Sequence, residues 1–335
     1  MFVKNVINYI DHHHGQASRT VLSGYPAIRG ATMREKEASY LKSMPWVHEA
    51  LLREPRGHRN LLGAILTDPV SSESAYGVLF LHPSGLFDGC GDSTLSTASA
   101  LIETGMVEAS EPVTRFQLDT VLGPLGIEAD VKDGVVTQVR FRNVPSYHVG
   151  DIDVDLPDGR HVHVELAFGG LTYGFIDAQA LGIVLQQSSE AEIVATAQAL
   201  WAKIGDTTEL TDPVTGRPAR IDLFTFVQRE EAEKGSKYRA ANVYRPGRMG
   251  RTPSGTGSSA HIALRVAKGL HEPSEPFVQE SLLGLHFVGT AERSKTVNGH
   301  DCVLPSIGAK SFMMGMGSAV IDPEDPFRRG FIVEG

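Results

Sequence analysis

Two apolar periods run along this chain and divide it into many strands and a few helices. Between 113 and 165 apolar and polar residues alternate strongly, as in Val113-Thr-Arg-Phe-Gln-Leu-Asp-Thr-Val121 and Val135-Val-Thr-Gln-Val-Arg-Phe-Arg142. A period of two sends successive side chains to opposite faces, which predicts strands. The Lys132-Asp133-Gly134 turn and the later Asp158-Gly159 pair predict hairpins. Leu61 to Leu66 and Tyr76 to His82 read as buried strands, and 162–168 and 173–176 as strands around the Gly169-Gly170 bend. Helices are predicted over 33–53, ended by Pro55, over 94–104, and over 189–204 with Ser188 or Ser189 at its cap. Residues 1–30 read as strand, polar loop (Asp11-His12-His13-His14-Gly15-Gln16) and strand. The stretches 221–243 and 277–321 supply further strands. The outcome is a mixed α/β chain with mainly antiparallel strands, lacking the regular βαβ alternation of a doubly wound sheet.

Composition narrows the class. At 335 residues, 41% hydrophobic and 21% charged, the chain has room for two ordinary domains. A formal charge of −9 argues against a general nucleic-acid binder. No apolar run approaches the ~20 residues that span a bilayer, and the N-terminus has no signal-peptide pattern. Two cysteines make no disulfide framework, so a reduced, cytoplasmic setting is expected.

One short string occurs twice. Cys90-Gly91-Asp92-Ser93-Thr94 is followed by small and apolar residues up to Gly105, and Ser254-Gly255-Thr256-Gly257-Ser258 by a similar stretch up to Gly269. The two copies lie about half a chain apart. This predicts two similar halves, each presenting a reactive side chain at a helix start, with an active site in the cleft. Helix N-termini offer unpaired N–H groups and partial positive charge, enough to hold a carboxylate. A cysteine there is expected to ionise near neutral pH. Donors aimed at the carboxylate would stabilise the charge that builds when the neighbouring carbon loses its proton.

Other features carry less. Three adjacent histidines on a strand cannot face one ion, so no metal is expected at 12–14. Cys302 reads as a core strand residue, and Glu54-Pro55-Arg56-Gly57-His58 as structural. Gly255-Thr256-Gly257 lacks the lysine of a phosphate-binding P-loop.

These residues together resemble the proline racemase family, of diaminopimelate-epimerase-like fold, over nearly the whole chain. The similarity rests on Glu54-Pro55-Arg56-Gly57-His58 with Gly63-Ala64, on Gly89-Cys90-Gly91-Asp92 (the family's Met-Cys-Gly-His) and on Val164 to Gly170. It continues through Arg251-Thr-Pro-Ser-Gly-Thr-Gly257 (the family's Asp-Arg-Ser-Pro-Cys-Gly-Thr-Gly), Pro276 to Ser281, and Asp322 to Phe331. It implies two pseudo-symmetric α/β (α+β) domains, each a mostly antiparallel sheet wrapped around a central helix. The domains would be 1–155 plus 322–335, carrying Cys90, and 156–321, carrying Ser254.

The resemblance further implies a cofactor-independent enzyme acting at Cα of proline or a hydroxyproline. The family's racemases and epimerases use two cysteines, one on each face of the substrate. Here Ser254 stands in the second place, and a serine hydroxyl is a poor proton-transfer group. A branch with cysteine first and threonine second dehydrates trans-3-hydroxy-L-proline, and Cys90/Ser254 is most similar to that arrangement. Catalytic Cys90 and Ser254 are therefore expected, with Gly91, Asp92, Gly250, Gly255 and Thr256 binding substrate. Asp92 replaces a family histidine and Gly250 a family aspartate, both contacts to the ring nitrogen. Racemisation or 4-hydroxyproline epimerisation is the first alternative, and a binding protein without turnover the second. The expected partner is a small molecule, not nucleic acid or membrane, and a homodimer is compatible with the pattern.

Overall fold

A computed structural model describes residues 4–293 and 296–333. Met1 to Val3, part of the N-terminus read as lacking a signal peptide, lie outside the described residues. The chain forms two compact units, Met1–Phe141 with Ala309–Gly335, and Arg142–Gly308. The boundaries differ from those expected at 155/156 and 321/322, and pairing explains why. The last strand, β18 (Phe312–Ile321), pairs antiparallel with β1 (Asn5–His13) and goes with the first unit. Strand β9 (Tyr147–Asp155) pairs with β10 (His161–Phe168) and goes with the second.

The first unit runs from β1 into β2 (Ala17–Ser23), α1 (Met33–Ser43), α2 (Trp46–Leu52), β3 (Leu62–Thr67), β4 (Tyr76–His82), β5 (Gly85–Phe87), α3 (Gly91–Glu103), β6 (Val113–Thr120), β7 (Gly123–Lys132) and β8 (Val135–Arg142). The helix expected over 33–53 is two helices. Pro45 sits between them, has no N–H to donate, and disfavours helical geometry at Met44. Asp133 (φ 53) and Gly134 (φ 74) both take positive φ in the β7–β8 turn, the conformation that a two-residue Asp-Gly hairpin demands.

The second unit runs from β9 and β10 into β11 (Thr172–Asp177), α4 (Glu190–Ile204), β12 (Leu223–Glu230), β13 (Ser236–Tyr244), β14 (Arg248–Met249), α5 (Gly255–Ala267), β15 (Phe277–Ser281), β16 (His286–Arg293) and β17 (Val303–Ala309). Helix α4 buries Ile193, Thr196, Ala197, Leu200 and Trp201, one face at helical spacing, against a core that includes Phe224, Phe226 and Val243.

The two units share one pairing plan. In the first, β1–β2 is antiparallel, β2–β3 parallel, β3–β4 antiparallel, β4–β6 parallel and β6–β7 antiparallel. In the second, β10–β11, β11–β12, β12–β13, β13–β15 and β15–β16 follow the same order of directions. Each parallel step needs a crossover, supplied by α1–α2 or α3 in one unit and by α4 or α5 in the other. Helices α3 and α5 are the central ones. Residues 91–102 of α3 are all buried, as is every residue of α5 from Gly255 to Leu264. Their many Gly, Ala, Ser and Thr residues let strands approach from every side. Gly105 (φ 72) and Gly269 (φ 68) follow the two helix ends in the left-handed conformation, the matched closing glycines of the repeat.

Candidate active site

Both halves of the repeated string begin a central helix. Cys90 is the N-cap of α3, with extended backbone (φ −149, ψ 105), and its sulfur accepts the Ser93 N–H at 3.5 Å. Its thiol donates to Ser93 Oγ at 3.4 Å, and the Ser18 hydroxyl donates to the same oxygen at 2.9 Å. The expected low thiol pKa is overturned. Burial, followed by the negative charge of Asp92, pushes Cys90 up to about 12, and the Ser93 and Asp92 hydrogen bonds offset only part of that. The helix end is present, but desolvation of a thiolate acts against it. Burial thus favours the thiol form of Cys90. It is half-buried, whereas Cys302 is buried.

Asp92 is buried in the first turn of α3, and His14 Nε2 donates to it at 2.8 Å. His14 follows the end of β1, and its Nδ1 lies 3.2 Å from Ser311 Oγ. The three adjacent histidines diverge. His12 pairs with Glu103 at 3.0 Å, His13 stacks on Phe312, and His14 reaches Asp92. His14 was passed over as a site residue in the sequence. The usable signal was the strand period, which sends 12 and 14 to the same side as α3 and 13 away.

Ser254 caps α5 with φ 69 and ψ 120, a conformation that costs a non-glycine residue about 1–3 kcal/mol. Its hydroxyl accepts the Gly257 N–H at 3.1 Å and lies 2.9 Å from Tyr173 Oη. Tyr173 Oη in turn lies 2.6 Å from Thr256 Oγ1. Tyr173, on β11, is the second residue the sequence reading missed. It follows the Gly169-Gly170 bend, whose closeness to α5 is strict, since a Cβ on Gly169 would stand 2.4 Å from the Thr256 carbonyl oxygen. The hairpin loops align residue for residue, His14 with Gly169 and Ser18 with Tyr173, by the pairings His13↔Ala17 and Phe168↔Thr172. Different polar side chains therefore back the two helix starts, Ser18 and His14 in one, Tyr173 in the other.

A buried chain holds the Ser254 turn. Gln279 Nε2 donates to the Pro253 carbonyl at 2.7 Å, and its Oε1 accepts from His261 Nδ1 at 2.8 Å. Arg265 Nε donates to His261 Nε2 at 3.1 Å, so the imidazole is neutral, in keeping with a pKa lowered by burial and by that guanidinium. Gly250 donates its N–H to the Asn242 carbonyl at 2.8 Å, and a Cβ there would stand 3.1 Å from Tyr244 Cε2. It offers backbone only. Arg56, from the Glu-Pro-Arg-Gly-His string, binds the carbonyls of Ala50 (2.8 Å), Phe327 (2.7 Å) and Arg328 (3.1 Å), which is a structural task.

Asp151, His163 and Glu165 bring three ligand atoms within 4.8 Å of one another on the β9–β10 ribbon. The Lys268 ammonium already sits among them, 2.8 Å from Asp151 and paired with Glu165, which Arg265 also binds. A resident cation of the protein's own leaves this group poorly suited to a metal.

A family profile described as proline racemase matches residues 9–332. This chain belongs to the proline racemase family. It is 32% identical over 330 residues to a proline racemase of Clostridioides difficile, covering 98% of each chain. It is 34% identical to a 4-hydroxyproline 2-epimerase of Streptosporangium roseum, covering 99% of this chain and 100% of the other. A crystal structure of a hydroxyproline epimerase from Agrobacterium vitis with bound trans-4-hydroxy-L-proline superimposes with TM-score 0.90 at 26% identity, over 99% of this chain and 96% of that one. The fold is the α/β, diaminopimelate-epimerase-like one that the proline racemase family motifs implied. Among the described residues no helix is long and apolar enough to cross a membrane.

Proposed function

We propose that this enzyme removes the Cα proton of a hydroxylated proline, with Cys90 as the base. The first-turn N–H groups of Gly91, Asp92, Gly255 and Thr256 hold the substrate carboxylate, and Asp92 takes the ring ammonium. With no side chain at Gly250, Asp92 is the acid left for that nitrogen. The ammonium also cancels the Asp92 charge that opposes Cys90 ionisation, so substrate binding itself favours the thiolate.

The single observation behind the leading reading is that a thiol heads one central helix and a hydroxyl the other. With trans-3-hydroxy-L-proline, the Cys90 thiolate takes the Cα proton and the C3–O bond breaks. Ser254 gives its proton to the departing oxygen, which leaves as water. The enamine tautomerises to Δ1-pyrroline-2-carboxylate. No second thiol is required.

A second reading, epimerisation of 4-hydroxyproline or racemisation of proline, is favoured by the activities named for the Streptosporangium and Clostridioides relatives. Ser254 would then return a proton to Cα on the opposite face. Two free cysteines suit a reducing cytoplasm, and a homodimer is the assembly to look for by light scattering.

Incubation with trans-3-hydroxyproline, 4-hydroxyproline and proline in D2O separates the readings. Pyrroline formation supports dehydration. Deuterium at Cα with inverted configuration supports epimerisation. The dehydratase reading fails if 3-hydroxyproline is untouched while 4-hydroxyproline is inverted. Binding without exchange would mark a protein that has lost turnover.

A further inference from the structure

We propose that Tyr173 positions Ser254 as a proton donor, so that a serine can serve where the family's racemases carry a thiol. The inference rests on the reading of Ser254 as the acid in the reaction above.

Three hydroxyls form a cluster at the start of α5. Ser254 Oγ and Tyr173 Oη are 2.9 Å apart, Tyr173 Oη and Thr256 Oγ1 2.6 Å, and Thr256 Oγ1 and Ser254 Oγ 3.5 Å. Ser254, Tyr173 and Thr256 are 3%, 1% and 4% exposed. In such surroundings every proton needs an acceptor, and the cluster restricts how the protons are shared.

The Gly257 N–H already donates to one lone pair of Ser254 Oγ. When Tyr173 donates to the other, the oxygen accepts twice and its own proton points out of the cluster. In that order Thr256, whose Oγ1 lies 2.6 Å from Tyr173 Oη, is the donor to Tyr173. The same two donors stabilise the oxyanion once Ser254 has given up its proton. Tyr173 thus directs the Ser254 proton outward and lowers the cost of losing it.

The proton balance is simple. The Cys90 thiolate gains the Cα proton, Ser254 loses its proton to the departing hydroxyl, and water forms. Transfer through solvent returns the enzyme to its starting state.

Tyr173→Phe keeps the ring, which stacks on Phe175 with centroids 5.9 Å apart, and removes only the hydroxyl. Cys90 needs no help from Ser254 to exchange the Cα proton. The variant should therefore keep Cα–H/D exchange of substrate in D2O within about threefold, with KM little changed, while product formation falls roughly 10²-fold, the size typical of a lost general acid or oxyanion donor. In a Ser254→Cys background the same change should cost under about threefold, since in the same surroundings a thiol is far more acidic than an alcohol and depends less on the Tyr173 hydrogen bond.

Parallel loss of exchange and turnover would show a structural role and overturn the proposal. So would an unchanged Tyr173→Phe enzyme, or an equal loss in the Ser254→Cys background. Failure of the wild-type protein to form pyrroline or inverted product from any of the three amino acids would instead overturn the functional reading beneath it.

Discussion

His14 Nε2 donates to an Asp92 carboxylate oxygen across 2.8 Å, tying the turn after β1 to the first turn of the helix that Cys90 heads. The carboxylate is buried with a partner, yet it still raises the Cys90 thiol by its charge. The Asp92 charge therefore opposes ionisation of Cys90 at this helix end, and Cys90 reports it.

Asp92→Asn removes the charge and keeps the shape. Alkylation of Cys90 by iodoacetamide, followed by intact-protein mass spectrometry, should then rise at lower pH than in the wild-type protein. Asp92→Ala should raise KM at least roughly tenfold, about the worth of one charge-assisted hydrogen bond. An unmoved alkylation profile together with an unchanged KM would remove Asp92 from both roles.

Much of this site was legible because it rests on local rules. A helix start with a small polar cap and a closing glycine is written within a few residues, and both copies fold as expected. The Asp-Gly turns are local in the same sense. What stayed hidden depends on distance along the chain. Tyr173 and Ser254 are separated by 81 residues and His14 and Asp92 by 78, so only the folded chain pairs them. The Cys90 pKa has the wrong expected sign because a helix end is visible in sequence, whereas the desolvation opposing it is a tertiary property. The domain boundaries moved for a related reason, since β18 belongs with its partner β1.

Gln279 is fully buried and has one amide atom on Pro253 and the other on His261. Gln279→Ala leaves a buried carbonyl and a buried N–H without partners, each costing about 1–3 kcal/mol. Thermal unfolding should fall by several degrees. Turnover should fall further than stability, since Ser254 at φ 69 depends on the held turn. A lowered melting temperature with unchanged kcat would limit Gln279 to packing.

Acid should destabilise the first unit through His48. Burial pushes this imidazole down to about 4, and its Nδ1 lies 3.1 Å from Tyr40 Oη. The unfolded chain takes up a proton near pH 6.5 while the folded one stays neutral until about 4. Stability is therefore full above 6.5 and is lost as pH falls towards 4, by on the order of 3 kcal/mol at most. His48→Gln should flatten the melting temperature against pH in that window. An equally steep curve in the variant would assign the acid loss to other groups, such as the buried His261, whose pKa is lowered as well.

Ser254→Cys tests the asymmetry of the two helix starts most directly. On the proposed reading, the wild-type pair has one group that removes a Cα proton and one that gives a proton to a departing hydroxyl but is slow to give one to carbon. A thiol at 254 changes the second property, since in the same buried surroundings a thiol is far more acidic than an alcohol. The backbone there, with its N–H donor at Gly257, is already that of a capping residue. The variant should invert 4-hydroxyproline or proline at least roughly tenfold faster than the wild-type protein, about the gain expected from a competent general acid. Pyrroline formation from trans-3-hydroxyproline should fall relative to inversion. The measurement is chiral chromatography of product beside pyrroline absorbance, with one enzyme preparation for both. If inversion does not rise, residue 254 does not determine the outcome, and the dehydratase reading loses the observation on which it stands.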